Sequence, residues 1–164
     1  MEMSEQHGDL VEAAKGVLET LLSLLEIPAS IECSEAEEGN TSSITLNVRG
    51  EDLGILIGRR GQTLASLQYM VKLILGHQTQ MGLPIIVDIE GYKQRRYEAL
   101  RILAWRIEEE VKVSKSPFSL EPMPAFERRI IHITLADSQK VTTESTGFGE
   151  GRKVVIKPID DEFH

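Results

Sequence analysis

The sequence predicts an α+β fold in two modules joined by a long helix. Three observations predict it. Between Asp9 and Glu90 the apolar residues recur in the order helix, strand, strand, helix, helix, strand. Residues 92–112 then hold one uninterrupted helical period. After Pro117, Pro122 and Pro124 a further helix and two strands follow. A chain of 164 residues has room for two compact domains and not for three. Its 41% apolar and 27% charged residues are ordinary for a protein that buries a core.

The elements follow in order. Residues 1–8 read as a tail. Asp9 can cap a helix, with Glu12 in the capping-box position, and Leu10, Ala14, Val17, Leu18, Leu21 and Leu25 repeat at helical spacing until Pro28. Ile31 and Cys33 alternate with polar neighbours, a Gly39-Asn40 turn follows, and Ile44, Leu46 and Val48 alternate again. That pattern predicts an antiparallel pair with one wet face. A short apolar run, Leu53–Ile57, leads through Gly58-Arg59-Arg60-Gly61 into a helix marked by Leu64, Leu67, Val71 and Ile74, with Gly76 as its expected C′ residue. Ile85–Ile89 reads as a buried strand. The first domain therefore spans 9–90, and a connecting helix spans 91–113 with Leu100, Leu103, Ala104, Ile107 and Val111 on its apolar side. The second domain spans 114–158: a helix over Ala125–Ala136, strands over Val141–Ser145 and Lys153–Lys157, and Thr146–Arg152 as a mobile, glycine-rich tip. It is near the lower size limit for independent folding and is expected to lean on the connecting helix. Residues 159–164 read as a second tail.

Charge first argues against an anionic partner. Lys and Arg number 18 against 26 Asp and Glu, a net of −8. The distribution reverses that argument. Residues 1–38 hold ten acids and one base, a net of −9, while the remaining 126 residues hold 17 bases and 16 acids, a net of +1. Fields act over about 8 Å at physiological salt, so a ligand feels local charge. Other classes drop out. Cys33 is the only cysteine, which excludes a disulfide framework and a cysteine-based zinc site. Glu19, Glu26 and Lys72 interrupt the apolar stretches, and none approaches the ~20 residues that span a bilayer. The acidic start lacks a signal-peptide pattern. A cytoplasmic protein with no membrane insertion is expected.

Gly58-Arg59-Arg60-Gly61 carries the first site. Two glycines allow unusual dihedrals with no Cβ in the way, so a phosphate–sugar backbone can approach the peptide. The helix after Gly61 turns its free N–H groups to the same place, and Arg59 and Arg60 add two permanent charges with fork geometry. A solvated helix corner is an equal reading of these four residues alone. P-loop and dinucleotide spacings are both absent. In its context the segment resembles a KH domain of the bacterial, type II topology. That resemblance implies a GxxG loop that clamps single-stranded nucleic acid beside an apolar groove. Ile57 and Leu64 are positional candidates for the groove wall, or equally for the core.

The second site lies in Met123–His132. On a helix Phe126, Ile130 and Ile133 share one stripe, while Arg128 and His132, four apart, share another face. Such a pair could hold a phosphate or stack on a base; taken alone, a solvated face is the more frequent outcome. The surroundings, Glu-Arg-Arg-Ile-Ile-His followed by Val-Thr-Thr-Glu-Ser and Arg-Lys-Val-Val-Ile, resemble the R-x-x-x-H nucleic-acid-binding domain, matched here by Arg128 and His132. A type II KH domain followed by this domain resembles the bacterial Jag (SpoIIIJ-associated protein) family, also called the KhpB family, over about 9–158. Typical members carry an extra N-terminal domain that is not seen in this sequence, which removes support for contacts with membrane machinery.

His7, His77 and His164 lack metal-ligand spacing, Asp160-Asp161-Glu162 reads as a solvated tail, and no catalytic constellation is evident. Trp105 and Tyr97 are expected in the core at the module junction rather than stacked on bases, and Arg95 and Arg96 as solvated charges. The expectation is a non-enzymatic protein with no cofactor and no metal. It binds single-stranded RNA, or single-stranded DNA, through Gly58, Arg59, Arg60, Gly61, Arg128 and His132. The alternative is a protein–protein adaptor that pairs with a small single-KH protein, with itself or with the ribosome. The family resemblance further implies an RNA chaperone or post-transcriptional role linked to sporulation, division or cell shape.

Overall fold

A computed structural model describes residues 2–38, 41–79 and 84–159. The Gly39-Asn40 turn and the Asp160-Asp161-Glu162 tail lie outside the described residues. The chain divides into two compact units after Lys93.

In the first unit helix α1 spans Glu2–Leu24. It begins a turn and more before Asp9, so Asp9 is not its cap: Glu, Met and Gln upstream are good helix formers and extend it. The helix closes after Leu24 with Glu26 in the left-handed region, φ 57°. Glu26 N–H donates to Ser23 O and Ile27 N–H to Leu22 O, both at 3.0 Å, which is a Schellman closure with glutamate where glycine is usual. Leu25 therefore lies past the helix and is exposed, while Leu22 takes the buried place one turn after Leu18.

Strands β1 (Ser30–Glu38) and β2 (Thr41–Arg49) pair antiparallel, with Ile31 opposite Val48 and Cys33 opposite Leu46. Strand β3 (Ile85–Ile89) adds parallel to β2, with Ile44, Leu46 and Val48 beside Ile85, Val87 and Ile89. The order is β1-β2-β3. Between β2 and β3 run the single turn α2 (Gly54–Ile57) and helix α3 (Gln62–Thr79). The period-2 residues of β2 and β3 point at the period-3.6 stripe Leu64, Leu67, Val71 and Leu75 of α3, and Leu10, Ala14, Val17 and Leu18 of α1 join the same core. Truncating a wholly buried member such as Leu18 or Ile44 to Ala costs about 2–5 kcal/mol. Gly76 does not end α3. It sits inside the helix, where a Cβ would meet nothing within 4 Å.

Helix α4 (Tyr92–Ser114) starts in the first unit and continues into the second. The second unit holds β4 (Phe118–Ser119), α5 (Ala125–Thr134), β5 (Val141–Thr146) and β6 (Lys153–Pro158), with sheet order β4-β6-β5. The stretch between Pro117 and Pro124 is thus more than a loop. Phe118 pairs with Ile156, and Leu120 and Met123 donate N–H bonds to Val154 O and Arg152 O along the edge of β6. Prolines are compatible with an edge because it needs only some of its N–H groups. Leu100, Ala104, Ile107 and Val111 of α4 pack with Ile131, Val141, Val154 and Ile156. Among them lies one buried charge: Glu127 accepts two bonds from Arg96, Nε–Oε1 at 2.8 Å and Nη2–Oε2 at 2.9 Å. This bidentate pair ties α4 to α5. Among the described residues no helix is long and apolar enough to cross a membrane, and no cluster of His, Cys, Asp or Glu could hold a metal ion.

Candidate nucleic-acid interface

The turn α2 ends on Gly58, whose N–H donates to Gly54 O at 3.0 Å. Gly58 has φ 69° and ψ −174°, a combination essentially confined to glycine. A Cβ there would press on Thr63 Oγ1 and come within 2.8 Å of Thr63 Cβ. Gly61 has φ 75°, and its Cβ would fall 2.9 Å from Tyr92 Cε1. Arg60, between them, is also left-handed at φ 54°. Three of the four residues are therefore left-handed, and the chain reverses sharply between α2 and the first turn of α3. Arg59 is exposed at the apex, and Arg60 is half-buried. Both glycines are half-buried, the missing Cβ of each facing Thr63 or Tyr92, and the loop leads directly into the start of α3, where the Gln62 N–H donates to Arg59 O. A helix start beside two arginines suits an anion. Leu64 is buried in the core and drops out as a groove wall; Ile57 is half-buried, packed on the core's edge.

Behind the loop, Tyr92 and Lys93 hold the start of α4 against α3. Lys93 N–H donates to Asp88 Oδ1 at 3.2 Å, and its ammonium donates to Gln68 Oε1 at 2.8 Å. Gln68 Oε1 also accepts Val87 N–H at 2.9 Å. Partial burial of the ammonium pushes Lys93 below the usual lysine value, with Lys72 adding repulsion and Asp88 opposing both. Nothing in the sequence pattern marks Lys93, because its partners come from α3 and β3.

The second candidate site rests on α5 and β5. Arg128 and His132 do share a face. Arg128 Nε donates to Met123 O at 3.2 Å, which fixes the arm and turns the end of the guanidinium away from it. His132 bridges two hydroxyls of β5: Nδ1 lies 2.7 Å from Thr143 Oγ1, and Nε2 lies 2.7 Å from Ser145 Oγ. Thr143 and Ser145 are two apart on a strand and so face the same side. Burial first, and the Arg128 charge second, push His132 below the ordinary histidine value, so the ring is neutral at neutral pH. Positive charge on this face therefore comes from arginine. Arg152, which precedes β6, has a buried Nε with no hydrogen-bond partner. Sequence reasoning did not single it out; its only signal is an arginine beside Gly151 at a strand start. The stripe Phe126, Ile130 and Ile133 turns outward rather than inward. Phe126 and Ile133 are exposed, and Glu127, Ile131 and Leu135 fill the buried positions. Glu127 displaces the expected stripe because Arg96 compensates its charge.

Tyr97 and Trp105 do not enter the core: they are 38% and 45% exposed. Arg96 is not a solvated charge, since Glu127 holds it. Phe148, at the tip between β5 and β6, is 91% exposed.

Comparison with known proteins matches both units. Residues 15–89 match the KhpA/KhpB, KH domain family, and residues 98–158 match the R-x-x-x-H domain family. RNA-binding protein KhpB of Clostridium symbiosum is 42% identical over 132 residues, 80% of this chain and 58% of that protein. RNA-binding protein KhpB of Bacillus subtilis (strain 168) is 33% identical over 150 residues, 90% of this chain and 70% of that protein. RNA-binding protein KhpB of Streptococcus pneumoniae (strain ATCC BAA-255 / R6) is 24% identical over 152 residues, 93% of this chain and 46% of that protein. The chain thus spans under two thirds of the first and third of these relatives. With the two domain families matched in series, and the Bacillus subtilis protein covered over 70% of its length, the chain belongs to the KhpB family.

Proposed function

We propose that the chain is a non-catalytic, cytoplasmic single-stranded RNA-binding protein, acting as an RNA chaperone or post-transcriptional regulator. The relatives' shared description as RNA-binding proteins supports the class of ligand. The loop geometry carries the reading. A left-handed Gly58 and Gly61, each packed too closely on Thr63 or Tyr92 for a Cβ, hold a tight loop that carries two arginines at a helix start. A phosphate–sugar backbone is the ligand that uses all three. Arg59 and Arg60 bond its phosphates, and the tight turn lets the sugar–phosphate backbone run close to the loop. At the second site Arg128 supplies charge, and neutral His132 accepts from one of the Thr143 and Ser145 hydroxyls and donates to the other, which leaves that second hydroxyl its own proton to donate. Arg152, at the start of β6, adds a third arginine to the same unit, its Nε buried and without a hydrogen-bond partner. Each site alone is weak; one strand engaging both gains through effective concentration.

Fluorescence anisotropy of a labelled oligouridylate, titrated at several salt concentrations, tests this. Binding should fall steeply with salt, by about 0.7 logarithmic units per tenfold salt for each phosphate contact. Arg59→Asp with Arg60→Asp should weaken it more than tenfold while the circular dichroism spectrum is unchanged. A folded double variant that binds as well as the parent would remove the loop from the site.

A second reading, association with a small single-KH protein or with a second copy, draws on one observation. Tyr69, Met70 and Leu73 share an exposed face of α3. Association that persists at high salt and in the Asp variants would favour it.

A further inference from the structure

The phosphate contacts proposed above leave one surface of the second unit unused. Tyr97, Arg101 and Trp105 recur every four residues on α4, so they stand in a row on one face. The guanidinium carbon of Arg101 lies 4.9 Å from the Trp105 ring centre and 5.7 Å from that of Tyr97, both cation–π distances. Glu98 steadies the same guanidinium from the side at 3.6 Å. The arrangement holds two large rings in place while both stay open to water. Exposed Ile102 lies about a quarter turn away and is not part of the row.

The local charge indicates what covers the row. Residues 94–106 carry Arg95, Arg96, Arg101 and Arg106 against Glu98 alone, and Glu127 balances Arg96. Residues 107–114 carry Glu108, Glu109 and Glu110 against Lys112. The rings therefore sit in the cationic half of the helix, beside exposed Arg106. An apolar protein surface would gain nothing from those arginines. A polyanion whose units present flat π-faces uses both the charge and the rings.

We propose that Tyr97, Arg101 and Trp105 form a base-stacking row for single-stranded RNA. Bases stack on the two rings, and Arg101 lies between them within reach of the linking phosphate. The proposal rests on the reading of the chain as an RNA binder and adds contact with bases, which the phosphate sites do not make. Stacking accepts any base, so the row raises affinity without selecting sequence.

Trp105 is the chain's only tryptophan, so its emission reports on this row alone. A labelled oligouridylate is titrated into the full chain while anisotropy reports total binding and Trp105 emission reports the row. The emission should be quenched and should saturate together with the anisotropy. Trp105→Leu should weaken binding about fivefold or more, Tyr97→Leu should act in the same direction, and Trp105→Phe should restore most of the loss. Because these positions are exposed, the circular dichroism spectra should not change. If anisotropy rises while Trp105 is not quenched, and Trp105→Leu binds within about twofold of the parent, the stacking row is wrong and the phosphate sites stand. If anisotropy never rises, RNA binding itself fails and the row falls with it. A Trp105 emission shift that follows protein concentration without RNA would assign the row to a second copy and overturn the proposal.

Discussion

A methyl group placed on Gly58 perturbs the loop at its most constrained atom. The backbone at φ 69° and ψ −174° lies in a region that residues with a Cβ enter at a cost of about 1–3 kcal/mol. The new Cβ also meets Thr63 Cβ at 2.8 Å and Thr63 N at 3.0 Å, so part of the first turn of α3 must shift. Overpacking of that kind costs about 1–3 kcal/mol. Gly58→Ala should therefore lose roughly 2–6 kcal/mol in urea unfolding followed by circular dichroism. The same substitution at Gly76 provides the opposite sign. There the backbone is ordinary helix and the space around it is open, so Gly76→Ala should gain about 0.5–1 kcal/mol. If Gly58→Ala matched or exceeded the parent in stability, the loop would not have the left-handed geometry on which the site depends.

Further outcomes follow from single contacts. Glu26→Gly should stabilise the chain by about 0.5–1 kcal/mol, since glutamate stands in a left-handed C′ position, and urea unfolding would detect it. Arg96→Ala should cost about 3–5 kcal/mol by leaving the buried Glu127 carboxylate uncompensated. His132 has a folded pKa below its unfolded value near 6.5, so the unfolded chain takes up its proton first. Its contribution to stability is complete above about pH 6.5 and is lost as pH falls through the window below that value. His132→Gln should remove this pH dependence in unfolding measured at paired pH values.

Much of the fold was legible because burial leaves a period. Leu64, Leu67 and Val71 repeat at helical spacing, Ile44, Leu46 and Val48 alternate, and both patterns survive in the core. What was not legible depends on partners distant in sequence. Strand β4 is only Phe118–Ser119, too short to show a period, and exists because β6 offers an edge. The outward turn of Phe126 and Ile133 could not be foreseen, since polar Glu127 takes the inner place only through Arg96, 31 residues away. Tyr97 and Trp105 were expected inside on hydropathy, and Arg101 holds them at the surface instead. At the site, the glycine pair announced its own geometry. The bridging of His132 to Thr143 and Ser145 required the strand to fold against α5, and Arg152 became visible only through its orphaned Nε.

Single-stranded RNA is expected to contact three places on this chain, the two phosphate sites and the row on α4, and amide chemical-shift mapping by NMR tests this most directly. On adding oligouridylate to the labelled full chain, progressive shifts should be confined to the Gly58–Gly61 loop with the start of α3, to Arg128–His132 with β5, and to the exposed face of α4 around Trp105. Shifts confined to α1 and β1, or none at all at saturating RNA, would contradict it.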